Sequence, residues 1–283
     1  MTGSQAPTGL ARRGRRLSDH ETQDRMLQAA RAMVNRTGLT VSLDHISFED
    51  VIRDADVSRS AAYRHWPHKD LFFSDLVKDL AATATPTIVS DELDLIRRVV
   101  AERQDWLDTA ELRHRLVTEL FRRLSLLDFD TLYGSAGWRT YLALHATFLS
   151  IADGDLRDQV QAVLSQSERE HMARIAQAWQ LLTTLLGYRL RPGSGVTFET
   201  IATLLSATMR GLVLTALSIP DIGTRRMPAS PFGAPVSQEW SLPALGLGAV
   251  ASAFLEPDPA TQWDDKRRAG IRRTLADLSL PPE

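Results

Sequence analysis

Apolar positions recur every three to four residues over most of the chain, and no stretch sustains the apolar–polar alternation of a half-buried strand. The pattern predicts an all-α protein. Ser18 and Glu21 have the spacing of a capping box. The helix behind them carries Met26, Leu27, Ala30, Met33 and Val34 and meets a stop at Gly38. Ser47 and Asp50 repeat the spacing, with Phe48, Val51, Ile52 and Ala55 on one face behind them. Ser58 can cap a further short helix in which Ala62 and Trp66 stand four apart. Only Ala55-Asp56-Val57 separates the two, which leaves room for a sharp bend and nothing more. Two short helices crossing at a tight turn form a helix-turn-helix, whose second helix fits the DNA major groove. Pro67 ends that helix, and His68-Lys69-Asp70 opens another with Phe72, Leu76 and Leu80 in line.

Downstream, the periodicity predicts helices near 91–127, 136–152, 156–188, 197–218 and 242–255, with a weaker one at 262–278, and no sheet. The 156–188 segment would span roughly 50 Å at 1.5 Å per residue. The 197–218 segment is apolar on most sides, through Phe198, Ile201, Leu204, Leu205, Met209, Leu212 and Leu214. Such a helix must be covered all round, so two copies of these two helices are expected to form a four-helix dimer interface. Residues 220–239 hold four prolines and two glycines and read as a loop. It would be a lid, an arm onto a second subunit, or disorder.

Four stretches follow. Residues 1–17 form a disordered basic arm, 18–70 the helix-turn-helix domain, 71–256 a helical ligand-binding and dimerisation domain, and 257–283 a loosely attached tail. Composition adds exclusions. The 283 residues include no cysteine, so disulfides, thiolate metal sites and cysteine nucleophiles drop out. No apolar run reaches membrane-spanning length and the N-terminus lacks a signal-peptide core, from which a cytoplasmic location is expected. The net charge of -2 does not advertise nucleic acid. Residues 1–70 hold 11 Lys and Arg against 9 Asp and Glu, so phosphate binding would rest on local placement.

The run from Asp56 to Trp66, followed by Lys69-Asp70-Leu71, resembles the tetracycline-repressor-like (TetR) family of transcriptional regulators, over Arg25 to Leu80. That family reads glycine-valine-serine, three variable residues, an apolar residue, tyrosine, one residue, histidine and an aromatic, then lysine-glutamate-leucine after a short gap. Here the turn glycine is Asp56, a residue that tolerates the left-handed conformation. A family alanine is Ile52, which asks for more room where the helices cross, and the gap from Leu39 to Ile46 is longer than usual. The resemblance implies a homodimeric regulator, most simply a repressor released from a palindromic operator by a small-molecule effector. Its two reading helices would sit about 34–36 Å apart.

A helix in the major groove presents its first turns to the bases. Arg59 could pair with a guanine, Ser60 could hydrogen-bond either way, and the Ala61 methyl could touch a thymine. Ser47 sits at a helix N-terminus, where phosphates bind. The resemblance adds Tyr63, His65 and Lys69 as phosphate contacts, against the plainer reading that Tyr63 and His65 pack in a small core. Arg13 and Arg16 in the basic arm would follow the DNA backbone or minor groove. For Ala62 and Trp66 a core role is expected.

The aromatics Trp106, Trp138, Tyr141, Phe148 and Trp179, with His114, His145 and Met172, fall on downstream helices. They could line an apolar cavity with a few polar handles, although each alone is more often core. Arg210, inside an apolar helix, is expected to meet an acid at the dimer interface or to read an anionic ligand. His65, His68 and Asp70 could ligate a metal, but Pro67 breaks the helical spacing that would converge them, so no metal or cofactor is expected. Gly246-Leu247-Gly248 mimics a dinucleotide fingerprint without a preceding strand, and close helix packing explains it better. Asp153-Gly154-Asp155 suggests a calcium loop that lacks its other ligands, and Asp155 as a helix cap accounts for it. No GxSxG and no isolated acid pair supports catalysis. The competing readings are an all-helical enzyme or scaffold without DNA binding, and a DNA-binding regulator governed by a partner protein instead of a ligand.

Overall fold

The computed structural model describes residues 17–37, 46–83, 90–234 and 236–277. Arg13, Arg16, Gly38 and most of the long 39–46 gap lie outside them. Within them the chain is helical: α1 (Asp19–Thr37), α2 (Phe48–Asp54), α3 (Arg59–His65), α4 (Lys69–Thr83), α5 (Ser90–Glu102), α6 (Ala110–Gly134), α7 (Ala136–Ser150), α8 (Asp155–Leu185), α9 (Phe198–Ala216), α10 (Asp221–Thr224), α11 (Leu242–Phe254) and α12 (Asp265–Asp277).

The N-terminal unit forms as its caps dictate. The Ser18 amide donates to the Glu21 carboxylate at 2.8 Å and the Glu21 amide to the Ser18 hydroxyl at 3.1 Å, a reciprocal capping box at the start of α1. Ser47 accepts from the Asp50 amide at 3.3 Å, while the Asp50 carboxylate turns to Arg53. Ser58 accepts from the Ala61 amide at 3.2 Å. Asp56 sits at φ 52°, the left-handed position that lets α2 and α3 cross after so short a turn. Helices of seven residues do not persist alone in water. Burial holds them: Ala62 and Trp66 are 0% and 1% exposed, and Phe48 meets Trp66 edge-on with Phe72 beside both. The Trp66 indole donates to Asp75 of α4 at 3.0 Å, satisfying the polar edge of that buried ring. The core then continues without a break from Met26 and Phe72 into Leu144 of α7 and Val160 of α8.

Several elements depart from expectation. The single helix expected over 91–127 is two, because a 3-10 turn at Gln104–Leu107 buries Leu107 and Thr109 then caps α6, accepting from the Leu112 amide at 3.2 Å. Sheets are present: β1 (Tyr188–Leu190) runs antiparallel to β4 (Leu255–Pro257), and β2 (Arg226–Ala229) to β3 (Gln238–Ser241). Strands this short carry too few residues for alternation to register. The segment expected as a loop at 220–239 therefore holds α10 and most of this hairpin, anchored by the buried Trp240. The tail expected to be loose from 257 onward supplies α12, whose Ile271 and Leu275 are buried with Ile96 and Val99 of α5. Arg97 also donates to the Leu275 carbonyl at 2.7 Å. Asp155 is the first residue of α8 and Gly154 its cap, so Asp155 acts through the helix dipole. Gly246 does serve close packing: a Cβ there would lie 3.1 Å from Thr208 of α9.

The body is built around the 31-residue α8, which packs against both α4 and α9. A second core joins α6, α9 and α11 through Phe129, Ile201, Leu205, Met209, Leu247 and Ala251. Between α6, α8, α9 and α11 these cores leave a cavity.

Candidate nucleic-acid interface and ligand cavity

The exposed end of α3 is where sequence spacing puts it. Arg59 is 74% exposed and Ser60 is exposed, both on the first turn after the Ser58 cap. Ala61 is half-buried and packs partly on the core of the unit, so only part of its methyl surface faces out. Tyr63 is exposed with its ring edge-on to Phe48 at 5.4 Å. His65 is half-buried and lies edge-on against Trp66 at 4.3 Å. Ser47 and Lys69 are exposed at the starts of α2 and α4. Of the seven candidates that lie in described residues, Ser47, Arg59, Ser60, Tyr63 and Lys69 are exposed, while Ala61 and His65 are half-buried against the core.

A residue that spacing did not single out organises this face. Glu49 of α2 accepts from the Arg59 Nε at 2.8 Å, pairs with its Nη2 at 2.6 Å, and accepts from the Tyr63 hydroxyl at 2.8 Å. Those hydrogen bonds, from Tyr63 first and Arg59 second, hold the Glu49 carboxyl below its ordinary range, and the same contact pushes the Tyr63 phenol up. Arg64 is tied back to Asp19 of α1 at 2.7 Å. These pairs lie in water, where such contacts contribute little, so phosphates or bases can displace them.

The cavity has a volume of about 620 Å³, within the range of small-molecule sites. Of the six aromatic and histidine candidates, Trp138 and Trp179 border it, as does His114. The others do not. Tyr141 donates to Glu168 at 3.0 Å, and Arg210 lies over its ring and pairs with the same carboxylate at 2.7 Å, a three-helix tie between α7, α8 and α9. Burial first, then Glu168, drives the Tyr141 phenol well above its ordinary value. His145 stacks on Tyr141 at 4.2 Å, Phe148 lies beneath Arg157 and joins the N-terminal core, and Trp106 lies between Arg103 and Arg115. Met172 is buried away from the cavity. Arg210 thus departs from both expectations, because its acid, Glu168, belongs to the same chain.

Phe232 borders the cavity. Its φ of 59° is a left-handed value rare for an aromatic, and its ring lies against Gly248, where a Cβ would come within 2.4 Å of it. His114 fixes this segment, one ring nitrogen on the Phe232 carbonyl and the other on the Tyr188 hydroxyl at 3.0 Å. Burial pushes the Tyr188 phenol up to about 12. Two bordering residues that the sequence did not mark are acids, Glu92 of α5 and Asp128 of α6. Burial and the neighbouring Asp128 push Glu92 up to about 8, and burial pushes Asp128 up to about 6. Burial, then Arg210, drives His171 of α8 down to about 4, so its ring is neutral near pH 7.

No family model and no curated protein matches the chain. Among solved structures it is similar to one described as a putative TetR-family transcriptional regulator from Mesorhizobium loti, at 15% identity over 84% of this chain and 99% of that one, with a TM-score of 0.44. A SmeT–triclosan complex is similar at 16% identity over 85% and 99%, TM-score 0.41. TylP, a TetR regulator from Streptomyces fradiae, is similar at 12% identity over 93% and 94%, TM-score 0.33. The functional reading therefore stands on the surface and the cavity themselves.

Proposed function

We propose that this chain is a sequence-specific DNA-binding transcriptional regulator: a homodimeric repressor that leaves a palindromic operator when a small molecule occupies the cavity. The observation that carries the proposal is the first turn of α3, capped by Ser58, rooted by Ala62 and Trp66, and presenting Arg59 and Ser60 outward. Reading of base edges requires such an end on a rigid mount. Ser47 and Lys69, at the starts of flanking helices, suit phosphate oxygens on either side.

Dimerisation through α8 and α9 is supported by leucines left in water: Leu181 on α8, and Leu204 and Leu214 on α9, with Gly211 exposed between the latter two. A row of this kind on a long helix is what a second copy would cover. Effector action is supported by the continuous core that links α3 and α4 to α7 and α8. A ligand that fits the cavity better in one setting of α8 would bias the separation of the two reading helices by differential binding alone. A duplex selected from a random pool tests the reading: a two-fold symmetric site is expected, bound by the intact protein and weakened by Arg59→Ala. A monomer with no preference among duplexes at moderate salt would defeat it.

A further inference from the structure

The charged side chains that border the cavity divide into two groups. Arg191 donates to the Ser252 and Leu255 carbonyls, Arg210 pairs with Glu168, and Glu256 pairs with Arg189. Glu92 and Asp128 have neither an ion pair nor a hydrogen bond among the described residues. Two carboxyls on one largely apolar space with no cation paired to either are unfavourable in the ionised state, since desolvation and mutual repulsion act in the same direction. A positive charge brought into that space would relieve both. The walls around it are apolar, with Ile96, Phe121, Leu124, Trp179 and Leu182 among them.

A second observation is independent of the acids. Among the described residues, the indole N–H of Trp138, 3% exposed, and the Nδ1 of His171, 5% exposed, have no hydrogen-bond partner. Both border the same cavity. Buried polar atoms are nearly always hydrogen-bonded, and an orphaned donor costs about 1–3 kcal/mol. A ligand bearing an acceptor would satisfy the Trp138 donor.

We propose that the cavity takes a lipophilic organic cation: an apolar, aromatic-sized body whose ammonium or equivalent charge is met by Glu92 and Asp128, with a hydrogen-bond acceptor for Trp138. This deepens the reading of the cavity as an effector site and rests on it. The unpaired acids make the site selective for charge sign. The apolar walls contribute affinity, and the elevated affinity of both carboxyls for protons is what a cation would replace.

The test uses three probes of similar shape on the full chain: tetraphenylphosphonium, tetraphenylborate and neutral triphenylphosphine oxide. Each is titrated calorimetrically into wild type, Glu92→Gln, Asp128→Asn and the double variant, with thermal unfolding as the check on folding. The cation is expected to bind wild type tightest, and the double variant to lose roughly tenfold or more of that affinity while keeping its affinity for the phosphine oxide. Operator release by each probe is measured in parallel. Equal cation affinity in wild type and double variant, or tighter binding of the anion, overturns the charge assignment. If an anionic or neutral probe then still releases the operator, the effector site stands without it. If no probe of any charge binds or releases the operator, both readings fail together. Should the double variant fail to fold, the single variants carry the same comparison.

Discussion

The face of α3 and the wall of the cavity handle charge in opposite ways. On the surface Arg59, Tyr63 and Glu49 satisfy one another, as do Arg64 and Asp19. On the cavity wall, Glu92, Asp128 and the Trp138 indole have no partner among the described residues. Exposed pairs are cheap to break, so a surface can keep its binding groups paired until DNA arrives. A polar group turned toward an apolar cavity has less water to fall back on, so an unpaired one marks a place where a ligand group would be stabilised. A pairing pattern thus says more about a ligand inside a protein than on its surface.

The strongest way to break the comparison is to remove the mount of the surface. Trp66→Ala should destabilise by about 3–5 kcal/mol, as large aromatic truncations in a core do, and operator binding should vanish with it. Because the same core reaches Leu144 and Val160, the loss should appear in one cooperative transition by circular dichroism. Two separate transitions would show that the reading unit and the body are energetically independent.

The cavity side is sharpened by pH. Glu92 titrates at about 8 in the folded protein against an ordinary 4.5, and Asp128 at about 6 against 3.8. The folded state therefore binds more protons than the unfolded chain between those limits, and stability falls as pH rises from about 4 to 8. Glu92→Gln should remove most of that decline, leaving unfolding free energies equal near pH 4.5 and the variant more stable at pH 8, by a few kcal/mol at most. His171 works from the other side. Its folded value of about 4 lies below 6.5, so its contribution is complete above 6.5 and is lost as pH falls toward 4. A variant no more stable than wild type at pH 8 would mean that the acids already have a partner.

Arg59→Ala should weaken operator affinity by about 1–3 kcal/mol and relax the preference at one base pair, with melting unchanged. Equal loss on all sequences would reassign Arg59 to a phosphate.

The two regions were not equally legible before the structure. The reading unit is written in local signals: three serine caps, a turn residue that accepts φ 52°, and Ala62 and Trp66 one helical turn apart. The cavity depends on how long helices are rotated against each other, which short spacings do not encode. Trp138 and Tyr141 lie one turn apart on α7, yet only Trp138 borders the cavity, because Glu168 and Arg210 claim Tyr141. Glu92 and Asp128 are two acids among 35, and nothing marks them until α5 and α6 bring them together. The hairpin that carries Phe232 to the cavity was hidden by its prolines, since a strand of four residues with one of them proline offers no pattern to read.

The smallest effect bears most directly on the surface side. Glu49 holds both Arg59 and Tyr63, and this arrangement has two opposite consequences. As a negative charge on the proposed DNA-binding face it would offset Arg59 and repel phosphate. As a hydrogen-bond acceptor it keeps the guanidinium in one place. Because Arg59 is 74% exposed, the positioning benefit is bounded by the small worth of an exposed pair, whereas the charge acts on every phosphate nearby. Glu49→Gln keeps an acceptor and removes the charge. Operator affinity should therefore rise, by roughly threefold, with a salt dependence steeper by up to about 0.9 in slope, the value for one more phosphate neutralised. Binding to unrelated duplexes should rise at least as much, so that sequence discrimination falls slightly. Weaker operator binding at an unchanged salt slope would instead make Glu49 the residue that aims Arg59, and the surface would then depend on its internal pairs as strictly as the cavity depends on a guest.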